Sequence, residues 1–175
     1  MKPDTIYYAT LETPYGALLV AGHEAGLTRV SFLAGTHPVT PELLWQRCEA
    51  PLAEPPLSEA FRQLRAYFAG TLRGFSLPLA PRGTSFQQSV WKALQGIPYG
   101  RTTTYGELAR RIGRPDAARA VGAANGSNPL PVIVPCHRVI GADGSLTGYG
   151  EGLPIKQGLL EMEARVAGGQ ERLFR

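Results

Sequence analysis

The sequence predicts an α+β fold: a small N-terminal antiparallel-sheet domain with a helix over residues 1–81, then a mainly helical C-terminal domain over 82–175 containing a helix-turn-helix and a candidate active-site cysteine. Three observations carry this. The first third consists of short apolar runs separated by turn signals, as in a meander of strands. The second half places apolar residues at helical spacing behind capping boxes. Between them, Thr71 to Thr84 has the proline, glycine and serine content of an inter-domain linker. A chain of 175 residues suits one domain or two small ones, and 43% hydrophobic against 18% charged residues is enough to bury a core.

In the N-terminal part, Ile6 to Thr10, Ala17 to Ala21 and Thr28 to Leu33 read as strands. They are joined by turns at Thr13-Pro14-Tyr15-Gly16 and Gly22 to Gly26. The Pro-rich stretch from Pro38 to Pro56 reads as loop with a short helix around Glu42 to Cys48. Ser58 then reads as the N-cap of a helix whose buried face is Phe61, Leu64, Tyr67 and Phe68, stopped by Gly70.

In the C-terminal part, Ser85 with Gln88 reads as a capping box ahead of a Phe86, Val90, Leu94 stripe. Gly96 to Gly100 ends that helix. Thr104 with Glu107 is a second box, and Tyr105, Leu108, Ala109 and Ile112 share one face. Gly113 closes this helix, and Pro115 opens the next, about Pro115 to Ala124. That helix is rich in small residues (Ala117, Ala118, Ala120, Gly122, Ala123, Ala124), with Arg119 as its long side chain. Two short helices around a glycine turn resemble a helix-turn-helix. The smooth second helix fits close approach either to a neighbouring helix or to a DNA groove. A last helix, about Pro154 to Val166, carries Ile155, Leu159 and Met162, with Glu163 able to reach a buried partner. The tail from Gly168 reads as mobile.

Composition excludes several classes. No run of 18 apolar residues exists, so no membrane-spanning helix is expected. The start, MKPDTIYYAT, lacks the apolar core of a signal peptide. Two cysteines are too few for a disulfide framework, which places the expected compartment in the cytoplasm. The net charge of +4 resides entirely between Lys92 and Arg119. A confined basic patch of this kind attracts phosphate, although a solvated helix face has the same composition.

Pro131 to Gly141 reads PVIVPCHRVIG. A solitary cysteine is usually a small core residue. Here His137 and Arg138 adjoin Cys136, and cations favour the nucleophilic thiolate. In an extended strand, neighbouring side chains point to opposite faces, so a Cys–His partnership needs a turn or a bridging water. Glu163 could orient the histidine, in the manner of a triad. Asn128 can tie the preceding turn to the strand beyond. Thr147-Gly148-Tyr149-Gly150 forms a loop able to offer backbone N–H groups to a ligand.

Val134-Pro135-Cys136-His137-Arg138-Val139 resembles the signature of the O6-alkylguanine-DNA alkyltransferases. Tyr105-Gly106-Glu107-Leu108-Ala109, Arg119-Ala120-Val121-Gly122, Asn128-Pro129, the Gly148-Tyr149 loop, and Lys156, Leu159, Leu160 and Glu163 fall at that family's spacings. The resemblance covers about Ser85 to Val166; the first 80 residues match only loosely. It implies repair of O6-alkylguanine in double-stranded DNA, with O4-alkylthymine as a second candidate substrate, by a single-turnover methyltransferase. It implies transfer to Cys136, with His137, Glu163 and a water as the proton relay, Asn128 holding the turn, and Tyr105 and Lys156 assisting the leaving base. Arg119 would intercalate from a helix docked in the minor groove. Thr104, Tyr105, Arg114, Ala118, Ala120 and Gly122 would line the DNA contact, and Val139, Tyr149, Gly150 and Glu151 the base pocket.

No cofactor is implied, since the lesion donates the alkyl group, and no obligate protein partner; a monomer is expected. Some members carry a structural zinc, but His23, His37 and Cys48 are few and oddly spaced, so no metal is expected. Glu151 stands where a glycine is frequent. Two other classes compete: a DNA-binding sensor of alkylation damage without transfer, against which Cys136 argues, and a Cys–His–Glu hydrolase, for which adjacent Cys and His are unusual.

Overall fold

The computed structural model describes residues 5–36, 40–42, 45–49 and 57–168. Much of the Pro-rich stretch, His37 and the tail beyond Gly168 lie outside the described residues. The chain divides into two compact units, Met1–Arg82 and Gly83–Arg175. Among the described residues, no helix is long and apolar enough to cross a membrane.

In the first unit, β1 (Tyr7–Leu11), β2 (Leu18–His23) and β3 (Gly26–Phe32) form the antiparallel meander. A fourth strand, β4 (Gln46–Arg47), pairs parallel to β1, giving the order β3-β2-β1-β4. The expected helix around Glu42 to Cys48 is thus corrected at Gln46–Arg47. There the unfilled edge of β1 offers ladder partners: Gln46 N–H donates to the Ile6 carbonyl, and Cys48 N–H to that of Tyr8. The central strand β2 is buried from Leu18 to Gly22. Helix α1 (Leu57–Phe68) buries Leu57, Ala60, Phe61, Leu64 and Tyr67. It begins before Ser58, which sits in its first turn instead of at the N-cap. Gly70 ends it at φ +75°, and Thr71 N–H donates back to the Ala66 carbonyl.

Part of the presumed linker is structured: Leu79 bridges Leu27, and Gly26 lies so close beneath that a Cβ there would meet the Pro78 carbonyl oxygen at 2.5 Å. Only glycine fits this approach.

In the second unit, α2 (Ser85–Leu94) starts one residue earlier than the sequence indicates: the capping box is Thr84 with Gln87. The box at α3 (Tyr105–Arg111) is Thr104 with Glu107, as predicted. Helix α4 spans Ala118–Gly126, so Pro115 lies in the turn ahead of it, and no side chain caps its start. Helices α2, α3 and α4 pack on one another, and Trp91 of α2 donates its indole N–H to the Ala124 carbonyl at 2.8 Å. Two short strands, β5 (Thr103–Thr104) and β6 (Val139–Ile140), pair in parallel. This ladder ties the chain entering α3 to the chain leaving the cysteine. Helix α5 (Leu153–Val166) packs on the cysteine turn.

Candidate active site

Val132 to Val134 is buried but is not a strand. It forms a turn in which Val132 is held at φ +73°. For a β-branched residue this is a strained backbone that the surrounding packing must impose. Cys136–Arg138 continues as a 3₁₀ turn. Asn128 closes the loop: its Nδ2 donates to the Val134 carbonyl at 2.8 Å and to Cys136 Sγ at 3.0 Å, and its Oδ1 accepts from Leu130 N–H.

Despite the turn, His137 does not bond the adjacent cysteine. Its Nε2 lies 2.9 Å from Glu163 Oε1, and both side chains are fully buried. Arg138 grips the same carboxylate from the other side, Nε to Oε2 at 2.9 Å and Nη2 to Oε1 at 2.8 Å. It also donates to the Ile97 carbonyl and lies over the Tyr99 ring. Gly100 N–H supplies a further donor to Glu163 Oε2 at 3.1 Å. Burial by itself would raise the Glu163 pKa; His137 and Arg138 reverse this and hold the carboxyl well below the usual range. Burial lowers the His137 pKa despite the adjoining carboxylate. The neutral ring therefore donates Nε2–H to Glu163, leaving Nδ1 as a base with no hydrogen-bond partner among the described residues.

The suggestion that His137 and Arg138 favour the thiolate directly is corrected: both are spent on Glu163. Cys136 is 4% exposed, and burial pushes its thiol up to about 11, against opposing pulls from the Asn128 amide and the Lys156 cation and with a further push from Glu151. At neutral pH only about one molecule in ten thousand is ionised, a deficit of about 5 kcal/mol that a base must supply as reaction proceeds.

Lys156 of α5 is wholly buried, and its Nζ donates to the Val139 and Thr147 carbonyls, each at 2.6 Å. Burial brings its pKa down to about 8. Tyr105, the first residue of α3, donates its hydroxyl to the same Thr147 carbonyl at 3.3 Å, and burial raises its pKa, so it stays a phenol. Tyr149 is buried with no partner for its hydroxyl among the described residues. The Tyr149 to Gly152 turn carries half-buried Glu151, and Gly150 rests near the Gly126 carbonyl. Val139 N–H is used by the Cys136 carbonyl, and its own carbonyl accepts from Lys156 Nζ at 2.6 Å.

On the outer side, Arg119, Ala120, Ala123 and Gly126 of α4 are exposed, while Val121, Ala124 and Asn125 are buried. Arg119 sits at the second position of the helix, near its start and not its centre. Lys92, Arg101, Arg110, Arg111 and Arg114 are exposed as well. Ala118 is half-buried, Thr104 uses its hydroxyl in the α3 cap, and Gly122 faces inward, its missing Cβ 3.7 Å from the Tyr105 ring. Of α5, the buried face is Lys156, Leu159, Leu160, Met162 and Glu163, with Ile155 only half-buried.

Sequence reasoning did not single out Arg138 as the second partner of Glu163, nor Asn125 and Ile97 as parts of the site. Their contacts join residues 11 to 41 positions apart, and no local pattern announces them. Among the described residues, no group of three His, Cys, Asp or Glu side chains could hold a metal ion.

Residues 85–165 match the family model described as 6-O-methylguanine DNA methyltransferase, DNA binding domain; residues 6–81 match the 6-O-methylguanine DNA methyltransferase, ribonuclease-like domain. A methylated-DNA–protein-cysteine methyltransferase of Methanosarcina acetivorans is 54% identical over 158 residues, covering 90% of this chain and 98% of the relative. The protein of that name from Mycobacterium tuberculosis is 50% identical over 169 residues, covering 97% and 99%. In structure, the chain is similar to the crystal structure of Mycobacterium tuberculosis O6-methylguanine methyltransferase (TM-score 0.82, 50% identity, 92% and 94% covered). It is also similar to Mycobacterium tuberculosis OGT in complex with DNA (TM-score 0.81, 51% identity, 91% and 94% covered).

Proposed function

Because the chain belongs to the 6-O-methylguanine DNA methyltransferase family, we propose that it repairs O6-alkylguanine in duplex DNA by direct, irreversible and stoichiometric transfer of the alkyl group to Cys136. The observation that carries this reading is local. Cys136 Sγ is held by Asn128 on a turn whose next residue, His137, is paired with buried Glu163.

The exposed face of α4 and the arginines around it bind DNA, and the target guanine leaves the stack because its O6 substituent is unreachable inside the duplex. Arg119 fills the gap left by the extruded base. Thr104, Tyr105, Arg114, Ala118 and Ala120 flank the strand; Gly122 acts by letting Tyr105 sit close to α4. Val139, Tyr149, Gly150 and Glu151 border the base.

In the transfer step, a C–S bond forms as the C–O6 bond breaks, and its electron pair passes to the guanine. The thiol proton passes through water to His137 Nδ1, and Glu163 stabilises the imidazolium. Tyr105 O–H protonates the departing base, with the Lys156 cation acting on the same Thr147 carbonyl. His137 then returns its proton to solvent, from which Tyr105 regains the one it gave, so the net change is one proton moved from the thiol to the guanine. The thioether is a poor leaving group, so each molecule acts once, as a monomer and with no cofactor. Its two cysteines, Cys48 and Cys136, form no disulfide, which suits the reducing cytoplasm.

Incubation with an O6-methylguanine oligonucleotide, followed by peptide mapping, should find one methyl group per chain on Cys136. Repeated turnover would favour a hydrolase, and DNA binding without an adduct a sensor.

Two further outcomes are expected. Arg119→Ala should slow repair of a paired lesion by about tenfold while changing repair of an already extrahelical O6-methylguanine far less, since only the former needs the stack held open. Equal losses on both substrates would exclude the wedge. Glu151→Gly should speed reaction with O6-benzylguanine, because it opens the turn beside Tyr149 and removes a charge that raises the Cys136 pKa. Unchanged single-turnover rates would remove Glu151 from the pocket.

A further inference from the structure

Asn125, near the end of α4, is only 2% exposed. Its Nδ2 donates to the Cys136 carbonyl at 3.4 Å, while its Oδ1 has no hydrogen-bond partner among the described residues. That contact also fixes which amide atom is which, since the flipped side chain would set one acceptor against another. A buried acceptor without a donor is uncommon in a folded protein and calls for an explanation. A second such acceptor belongs to the residue that follows the same cysteine: His137 Nδ1. One residue touches the Cys136 carbonyl, and the other follows Cys136 in the chain. A single molecule with two hydrogens to give can satisfy two such acceptors at once, and that molecule is water.

We propose that Asn125 is a positioning residue of the proton relay: its Oδ1 and His137 Nδ1 together hold the water that receives the Cys136 thiol proton. This rests on the alkyl-transfer reading. The thiol proton goes to the water oxygen as one water proton goes to His137 Nδ1, so water is regenerated and His137 becomes the imidazolium. Asn125 gains no proton. By accepting the second water hydrogen, it turns a water lone pair toward the sulfur. The relay is thereby anchored on the helix whose opposite face meets DNA.

Asn125→Leu keeps the branched side-chain shape and removes the acceptor together with the Nδ2 donor to the Cys136 carbonyl. Its single-turnover rate with an O6-methylguanine oligonucleotide should fall about tenfold near pH 7, with the gap narrowing as pH rises toward the thiol's pKa of about 11 and more of the thiol loses its proton directly to solvent. A packing role would lower the rate by one factor at every pH. The titratable and charged groups facing the relay are Glu163 and Arg138 on the His137 side and Lys156, Tyr105, Tyr149 and Glu151 around Cys136. They are common to both proteins, so the variant-to-wild-type ratio isolates Asn125. Asn125→Ala, which leaves room for a second water in place of Oδ1, should show a smaller loss in the same pH sense, and it serves if the leucine does not pack. A folded variant with the wild-type rate, or with a pH-independent loss, overturns the proposal. Absence of any adduct on Cys136 in the wild type would instead overturn the alkyl-transfer reading beneath it.

Discussion

Cys136→Ser is expected to abolish alkyl transfer while leaving both the fold and DNA affinity in place. The chemistry depends on a sulfur that is intrinsically nucleophilic and whose proton can be removed at a cost of about 5 kcal/mol at neutral pH. A serine hydroxyl is a far weaker acid and a poorer nucleophile toward an alkyl carbon, so the same relay cannot activate it. The structural cost is small. Sγ accepts one bond from Asn128 Nδ2, which a serine Oγ accepts equally well, so stability should change by about 1 kcal/mol or less. The exposed face of α4 is untouched. Mass mapping after exposure to the lesion, together with anisotropy titration on the same duplex, checks both halves. A methyl group found on the serine variant, or on Cys48, would end the assignment of Cys136.

Glu163→Gln should damage both stability and transfer. Glu163 is fully buried between His137 and Arg138 and has Gly100 N–H as a further donor. Removing its charge leaves the Arg138 guanidinium, itself only 6% exposed, without a counter-charge. Breaking one side of such a pair costs about 3–5 kcal/mol, and the glutamine oxygen, which keeps the Arg138 Nε and Gly100 N–H bonds, places this variant near the lower figure. The amide also offers N–H where His137 needs an acceptor, so the tautomer with a free Nδ1 is no longer selected. Loss of a general base of this kind slows transfer by about a hundredfold.

The pH sign follows from the same contacts. The folded-state pKa of Glu163 lies below its ordinary value of 4.5, so its contribution is full above that pH and is lost as pH falls through the folded value. The glutamine variant should lack this acid-side loss. His137 acts in the same direction in both proteins: its depressed pKa means the unfolded chain binds the proton first, so stability falls as pH drops below 6.5. Urea midpoints from about pH 3 to pH 8 resolve the two effects. Equal midpoints for the variant and the wild type at neutral pH would show that the carboxylate does not hold this core together.

The meander, helices α1, α2, α3 and α5, and the capping box at Thr104 were legible because each rests on residues close in sequence: alternating or helical apolar spacing, a cap three residues from its partner, a glycine at a stop. The residues of the candidate site were legible as chemical types at recognisable spacings. Errors arose where distant chain segments competed with local signals. Gln46–Arg47 became a strand because β1 had an edge to fill, and Leu79 left the linker to bridge Leu27. Pro115 stayed outside α4, and Val132 to Val134 bent into a turn despite strand-forming side chains.

The sequence alone determined the periodicities, the confinement of the excess charge to residues 92–119 and the order of reactive side chains, because these are properties of neighbours along a chain. Tertiary structure decided what each reactive group is bonded to. Only the packing of α5 against the cysteine turn commits Arg138 to Glu163, leaves His137 neutral with one nitrogen open, and raises the Cys136 thiol to about 11. Protonation state depends on burial and on partners tens of residues away, and neither quantity exists until the chain has folded.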